Sequence, residues 1–207
     1  MPKKKPVPKK PAKGKAAAKP KAAPKAALAA GTKEHREKAE GIASVRCAIV
    51  TVSDSRTEAT DESGKLMRAL LEKDGHTVVH YALLKNEPDA VKRHVQMLLN
   101  APVHANDPQS EVDAVILTGG TGLGRRDRTV EAVRGLLDRE IPGFGELFRL
   151  LSYQEQIGTA AILSRALAGG VKGKLVVSLP GSKAAVDLAL NRILLLEIRH
   201  VVWELRR

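Results

Sequence analysis

A chain of 207 residues is long enough for one domain with a full core plus a further segment, and its single cysteine, Cys47, excludes an internal disulfide and points to a reducing, cytoplasmic setting. The formal charge of +12 sits in a tail: residues 1–30 hold ten lysines and no acid, so residues 31–207 carry 12 − 10 = +2, which argues against a nucleic-acid-binding face on the folded part. No apolar run is long enough to span a bilayer, no apolar stretch follows the positive N-terminus as in a secretory signal, and two Phe, two Tyr and one Trp do not furnish a base-stacking platform.

Residues 1–30 are almost entirely Lys, Ala and Pro. Pro2, Pro6, Pro8, Pro11, Pro20 and Pro24 interrupt any helix, the lysines repel one another, and nothing large and apolar is present to collapse. The expectation is a disordered basic tail and linker over 1–40 and a folded domain over 41–207. The tail either is a solvated extension or binds polyanions weakly, with strong salt dependence.

From Arg46 the pattern changes. The β-branched run Arg46-Cys-Ala-Ile-Val-Thr-Val-Ser53 predicts a buried strand, with Cys47 as a small core residue. Leu66, Met67, Leu70 and Leu71 fall at helical spacing, which predicts a helix over 63–73 stopped by Gly75. A second strand is predicted over 76–84 and a second helix over 88–99, with Pro88 in its first turn. His76 and His80 would share a strand face, but no third ligand accompanies them, so an edge or surface role is expected rather than a metal site. A third strand is predicted over 112–118, a third helix over 129–137 and a fourth over 142–156, with Phe144, Leu147, Phe148 and Leu151 on one face. A strand over 175–179 and a helix over 184–196 complete the series. There is no internal repeat. Strands alternating with helices predict an α/β layered fold with a largely parallel sheet, and such sheets bind ligands beyond the carboxyl ends of their strands.

The polar and glycine-rich segments fall at those ends. Thr118-Gly-Gly-Thr-Gly-Leu-Gly-Arg-Arg-Asp127 is the most informative. Its glycines let backbone amides approach an anion, or else they serve a tight turn with positive φ. It is not a Walker A loop, because Arg125 and Arg126 stand where Lys and Ser/Thr belong, and it does not match G-x-G-x-x-G. Asp127 either caps the following helix, as Thr129 could, or holds a magnesium ion near phosphates. Ser53-Asp-Ser-Arg56 and Asp61-Glu-Ser-Gly64 suit turns and caps. In Pro180-Gly-Ser-Lys183, Ser182 is an N-cap or part of a phosphate rest.

These segments, with Ile141-Pro-Gly-Phe-Gly145, Leu163-Ser-Arg165 and Leu179-Pro-Gly-Ser182, resemble in order the signatures of the molybdopterin adenylyltransferase-like (MoaB/Mog) family. Phe144-Gly-Glu-Leu-Phe-Arg-Leu-Leu-Ser152 is most similar to the bacterial MoaB branch, and the resemblance covers about residues 45–203. It implies a three-layer molybdopterin-binding α/β fold, assembled as a trimer or a dimer of trimers. It further implies Mg2+-dependent transfer of AMP from ATP to the terminal phosphate of molybdopterin, alongside other proteins of molybdenum cofactor biosynthesis. Non-catalytic binding of molybdopterin or nucleotide is the alternative. By the resemblance, Ser53, Asp54, Gly119, Gly120, Thr121, Gly122, Ser152, Gly181 and Ser182 would bind substrates. Asp127 would be the essential carboxylate, and Asp61 and Asp127 would attend the metal. Two features depart from the family pattern. Asn86 stands where an Asp is expected after the second strand, which weakens a hard-cation site, and the stretch from Ser152 to Leu163 is about one residue longer than the family pattern, near Gln154 to Gln156.

Overall fold

A computed structural model of the chain describes residues 36–38, 41–100 and 111–207; the tail read from residues 1–30 lies outside them. Six strands form one sheet in the order β2-β1-β3-β6-β5-β4: β1 (Arg46–Val52), β2 (Thr77–Leu84), β3 (Ala114–Thr118), β4 (Arg139–Glu140), β5 (Leu167–Val171) and β6 (Lys174–Leu179). The first four in that order run parallel, while β5 and β4 are antiparallel additions. The helices are α1 (Glu62–Lys73), α2 (Pro88–Asn100), α3 (Thr129–Arg134), α4 (Pro142–Ser152), α5 (Lys183–Ala189) and α6 (Leu195–Arg206).

Alternation along β1 builds two cores. Cys47 and Ile49 join Met67 and Leu71 of α1, Phe148 of α4, and Val186 and Ile198 on one face. Ala48, Val50 and Val52 join Val91 and Val95 of α2 and Val133 of α3 on the other. Helices therefore cover both sheet faces, giving three layers. Each fully buried Leu, Ile or Val contributes on the order of 1.5–3 kcal/mol. β1 and β3 are hydrophobic along their length because they are covered twice.

Three sequence readings are corrected. Leu167–Val171 and the two-residue β4 were not foreseen as strands. The last helix runs beyond Leu196 to Arg206, passing through a π-helical turn at Leu190–Leu194. The helix expected over 142–156 ends as α-helix at Ser152 and continues as a π turn, Tyr153–Ile157. A π turn takes up an extra residue within a helix, and this one covers the stretch expected from the resemblance to be about one residue longer than the family pattern.

Candidate functional site

The register sets the site. Thr51 pairs with Leu83 on one side and with Thr118 on the other, and Thr118 pairs with Leu179. The carboxyl ends of β1, β2, β3 and β6 are therefore level, and four loops leave the sheet together. The chain turns from β1 to its two neighbours, β2 and β3, on opposite sides, which makes this edge a topological switch point. A cavity of about 530 Å3 lies there. Ser53, Asp54, Asn86, Gly119, Gly120, Thr121, Gly122, Asp127, Gly181 and Ser182 all line it, with Arg56. Asp61 and Ser152 do not, and both are buried.

The glycine-rich loop takes its path only because two positions lack a Cβ. Gly119 has φ +99°, and a Cβ there would meet the Val52 carbonyl oxygen at 2.1 Å. Gly120 has φ +61°, and a Cβ would meet Thr129 Oγ1 at 2.2 Å. Gly119 donates its amide to the Leu179 carbonyl at 3.0 Å, pinning the loop to β6. The amides of Gly120, Thr121 and Gly122 donate to no group among the described residues. From outside, Arg165 clasps the loop, donating to the carbonyls of Thr121 at 2.9 Å, Gly122 at 2.7 Å and Asp127, and pairing with Glu131. Its motif, Leu163-Ser-Arg165, was visible in the sequence, but nothing local told that it holds a loop some 40 residues away.

Asp127 folds back over the loop. Its carboxylate accepts from the Gly124 amide at 3.2 Å and from Asn86 Nδ2 at 2.9 Å. Asp127 and Thr129 do not cap α3: the N-cap position is Arg128, without a side-chain cap bond. Asn86 also donates its backbone amide to Asp54 Oδ1 at 3.0 Å, so β1, β2 and the glycine-rich loop meet at this residue.

Asp61 is the N-cap of α1 and is fully enclosed. Its carboxylate accepts from Thr51 Oγ1 at 2.6 Å, Tyr81 Oη at 2.9 Å, the Gly64 amide at 3.1 Å and Arg56 at 3.3 Å. Burial raises its pKa, but the bonds from Thr51, Gly64 and Tyr81 and the charge of Arg56 overrule it, holding the carboxyl below its ordinary value. The reciprocal effect, burial first and the bond to Asp61 second, pushes the Tyr81 hydroxyl up to about 12. Arg56, oriented by Asp61, donates to the Gly181 carbonyl at 2.8 Å, and Ser63 donates to the same oxygen at 2.9 Å. Ser182 caps α5 by accepting from the Ala185 amide at 3.1 Å. The network Thr51–Tyr81–Asp61–Arg56 went unseen in the sequence, because its members stand on three elements.

The two histidines expected at an edge or surface part company. His76 is buried and its Nδ1 accepts from the Val45 amide at 3.2 Å. His80 lies on the edge strand β2, as expected, with its Nε2 3.1 Å from that of His94 on α2. Among the described residues no group of three or more His, Cys, Asp and Glu is placed to hold a metal by itself.

A glycine-rich loop lining a cavity at a parallel-sheet switch point, with one carboxylate folded over it, is an arrangement of the kind that anion-binding α/β proteins use. The sequence comparison agrees: the profile of the "probable molybdopterin binding domain" matches residues 48–200, and the chain belongs to that family of molybdenum cofactor biosynthesis. Molybdenum cofactor biosynthesis protein B of Bacillus subtilis is 48% identical over 175 residues, covering 84% of this chain and 97% of that protein. The crystal structure of a molybdenum cofactor biosynthesis protein B matches with a TM-score of 0.72 and 48% identity, over 79% of this chain and 97% of its own. The tungsten cofactor synthesizing protein MoaB of Pyrococcus furiosus matches with a TM-score of 0.66 and 35% identity, over 79% and 98%. The expected family and three-layer fold are thus established.

Proposed function

We propose that this chain catalyses transfer of AMP from ATP to the terminal phosphate of molybdopterin, with Mg2+. The observation that carries the reading is the set of unpartnered amides at Gly120, Thr121 and Gly122, beside the Asp127 carboxylate, in one cavity. Bringing two phosphates together is the main obstacle, and fixed donors with correct alignment supply most of the required catalysis. In this reading the glycine-rich loop orients the phosphates. Ser53, Gly181 and Ser182 form the opposite wall, and Arg56 holds that wall in place.

The donor set fits magnesium. Two carboxylates, Asp54 and Asp127, line the cavity, and Mg2+ characteristically takes one or two carboxylates together with phosphate oxygens and water. When bound, it would neutralise charge on the phosphates. Asp127 keeps lone pairs for this duty beyond the two hydrogen bonds it accepts. Asp61, with four donors and no place on the cavity wall, positions Arg56 instead.

A second reading, binding without turnover, is favoured by one observation: Asn86 meets Asp127 through its amide nitrogen, a neutral contact where a second carboxylate would have gathered a cation. Incubation with molybdopterin, ATP and magnesium separates the two. Adenylated molybdopterin supports transfer; tight molybdopterin binding with no adenylated product supports the second reading.

A homo-oligomer, trimer or dimer of trimers, also belongs to this proposal. Leu147, Leu150, Tyr153, Ile157, Ile162 and Leu163 are exposed along one continuous stretch from α4 onward, an apolar surface of the kind that interfaces cover. Analytical ultracentrifugation tests it. No helix among the described residues is long and apolar enough to cross a membrane, and we place the activity in the cytoplasm with the other cofactor-synthesis proteins.

A further inference from the structure

A second recess of about 650 Å3 adjoins the cavity and shares two of its walls, Asp54 and Asn86. Four arginines line it: Arg93 on α2, and Arg125, Arg126 and Arg128 on the strand-to-helix loop. Arg126 approaches Asp54 at 3.7 Å. Arg93 and Arg125 make no ion pair among the described residues, and Arg128 is within reach of the charge of Glu131 but makes no close contact with it. Glu87 and Asp89 share the recess but lie at the start of α2, where the helix dipole favours acids, and neither pairs with these arginines.

Four arginines lining one recess repel one another, and their clustering is local. Residues 31–207 carry only +2, so a general surplus of base does not account for it. The arginines would be relieved by a ligand of high negative charge, and guanidinium forks match phosphate oxygens. The occupant must also be continuous with whatever the glycine amides hold, because both spaces open on Asp54 and Asn86. A linear polyphosphate meets both conditions. No Phe, Tyr, Trp or His lines the recess to stack a base.

We propose that this recess seats the β- and γ-phosphates of ATP and then the pyrophosphate product, with Arg93, Arg125 and Arg128 as its donors. The inference rests on the adenylyl-transfer reading. The α-phosphorus then lies at the boundary between the two spaces. A non-bridging oxygen of the pterin phosphate bonds to it, and the bond from the α-phosphorus to the α,β-bridging oxygen breaks. The electron pair departs on pyrophosphate, and nothing is oxidised or reduced. Arginines on the leaving side stabilise charge as it accumulates there.

Calorimetric titration of the full-length protein with inorganic pyrophosphate, AMP and adenosine tests this, using the wild type, Arg93→Gln/Arg125→Gln/Arg128→Gln, and the same three positions changed to Lys. The lysine-rich tail is common to all three proteins, and salt of about 0.15 M screens charges beyond about 8 Å. Melting curves check that the exposed substitutions leave the fold intact. The Gln variant is expected to lose at least about tenfold in pyrophosphate affinity, about 1.4 kcal/mol, with AMP affinity kept, and the Lys variant to fall between because it keeps the charge but loses the fork. Equal pyrophosphate affinity in wild type and Gln variant overturns the proposal, as does an equal loss for AMP or adenosine. Arginine-dependent pyrophosphate binding with no adenylated product from the wild type upholds the anion site while the transfer reading falls. Adenylated product without arginine-dependent pyrophosphate binding does the reverse.

Discussion

Replacing Asp61 distinguishes a positioning residue from a metal ligand. In Asp61→Ala the Thr51 hydroxyl, which is fully buried, loses its acceptor, at a cost of about 1–3 kcal/mol. The α1 cap is lost with the Gly64 bond, about 1 kcal/mol. Tyr81 and Arg56 are only partly buried and recover much of their loss through water. The sum is about 2–4 kcal/mol, below the cost of stranding a fully buried charge because Arg56 stays partly exposed. Asp61→Asn keeps volume and one acceptor, and the hydroxyls rotate toward its amide, so about 1–2 kcal/mol is expected. For a folded body of this size each kcal/mol moves the melting temperature by roughly 2–4 °C, so the Ala variant should melt well below the Asn variant. Urea unfolding at fixed protein concentration measures both, and a magnesium titration of activity accompanies it. The half-saturating magnesium concentration should stay put while the substrate KM rises, because Arg56 no longer holds Gly181. An Ala variant as stable as the wild type but shifted in its magnesium requirement would refute this account and make Asp61 a metal ligand.

Asn86→Asp places a second carboxylate at hydrogen-bond distance from Asp127, so without magnesium the variant should lose about 1 kcal/mol, and magnesium should raise its melting temperature more than that of the wild type; identical responses would remove Asn86 from the metal site. Gly119→Ala combines a positive φ with a clash on the Val52 carbonyl oxygen, and a loss of at least about 2 kcal/mol is expected, with the glycine-rich loop displaced; wild-type stability in urea would contradict it. Burial lowers the pKa of His76, His80 and His94, with the charge of Arg199 adding to the effect at His76 and that of His80 at His94. The unfolded chain therefore binds more protons below the free histidine value of about 6.5, and stability should fall as pH drops from about 7 to 5. The lowered carboxyls of Asp61 and Asp113 carry the fall further into acid. Unfolding curves of His80→Asn/His94→Asn should have a shallower acid slope, and an unchanged slope would place the proton uptake elsewhere.

The parallel strands β1, β3 and β6 and most helices were legible in the sequence because they obey local rules: β-branched runs where both faces are covered, helical spacing where one is. The glycine-rich loop and its neighbours were legible as site material because anion binding needs bare backbone at strand ends. What the sequence alone did not determine depends on partners distant along the chain. Leu167-Ala-Gly-Gly-Val171 lacks strand propensity at its centre, yet it pairs with β6, and Gly169 is required by the backbone that lies against it while Gly170 leaves room for Leu205. A Cβ at Gly169 would meet the Arg139 carbonyl oxygen at 2.5 Å, and one at Gly170 would meet Leu205 at 2.3 Å. Asp61 reads as a cap from its residue type and as a metal ligand only through the family resemblance. Only the tertiary structure, bringing Thr51, Tyr81 and Arg56 around it, filled its lone pairs and left Asp127 and Asp54 facing the cavity. Residue type and spacing set which groups are available, whereas the free lone pairs and amides left over, which are what bind a ligand, exist only once every other partner has been assigned by the fold.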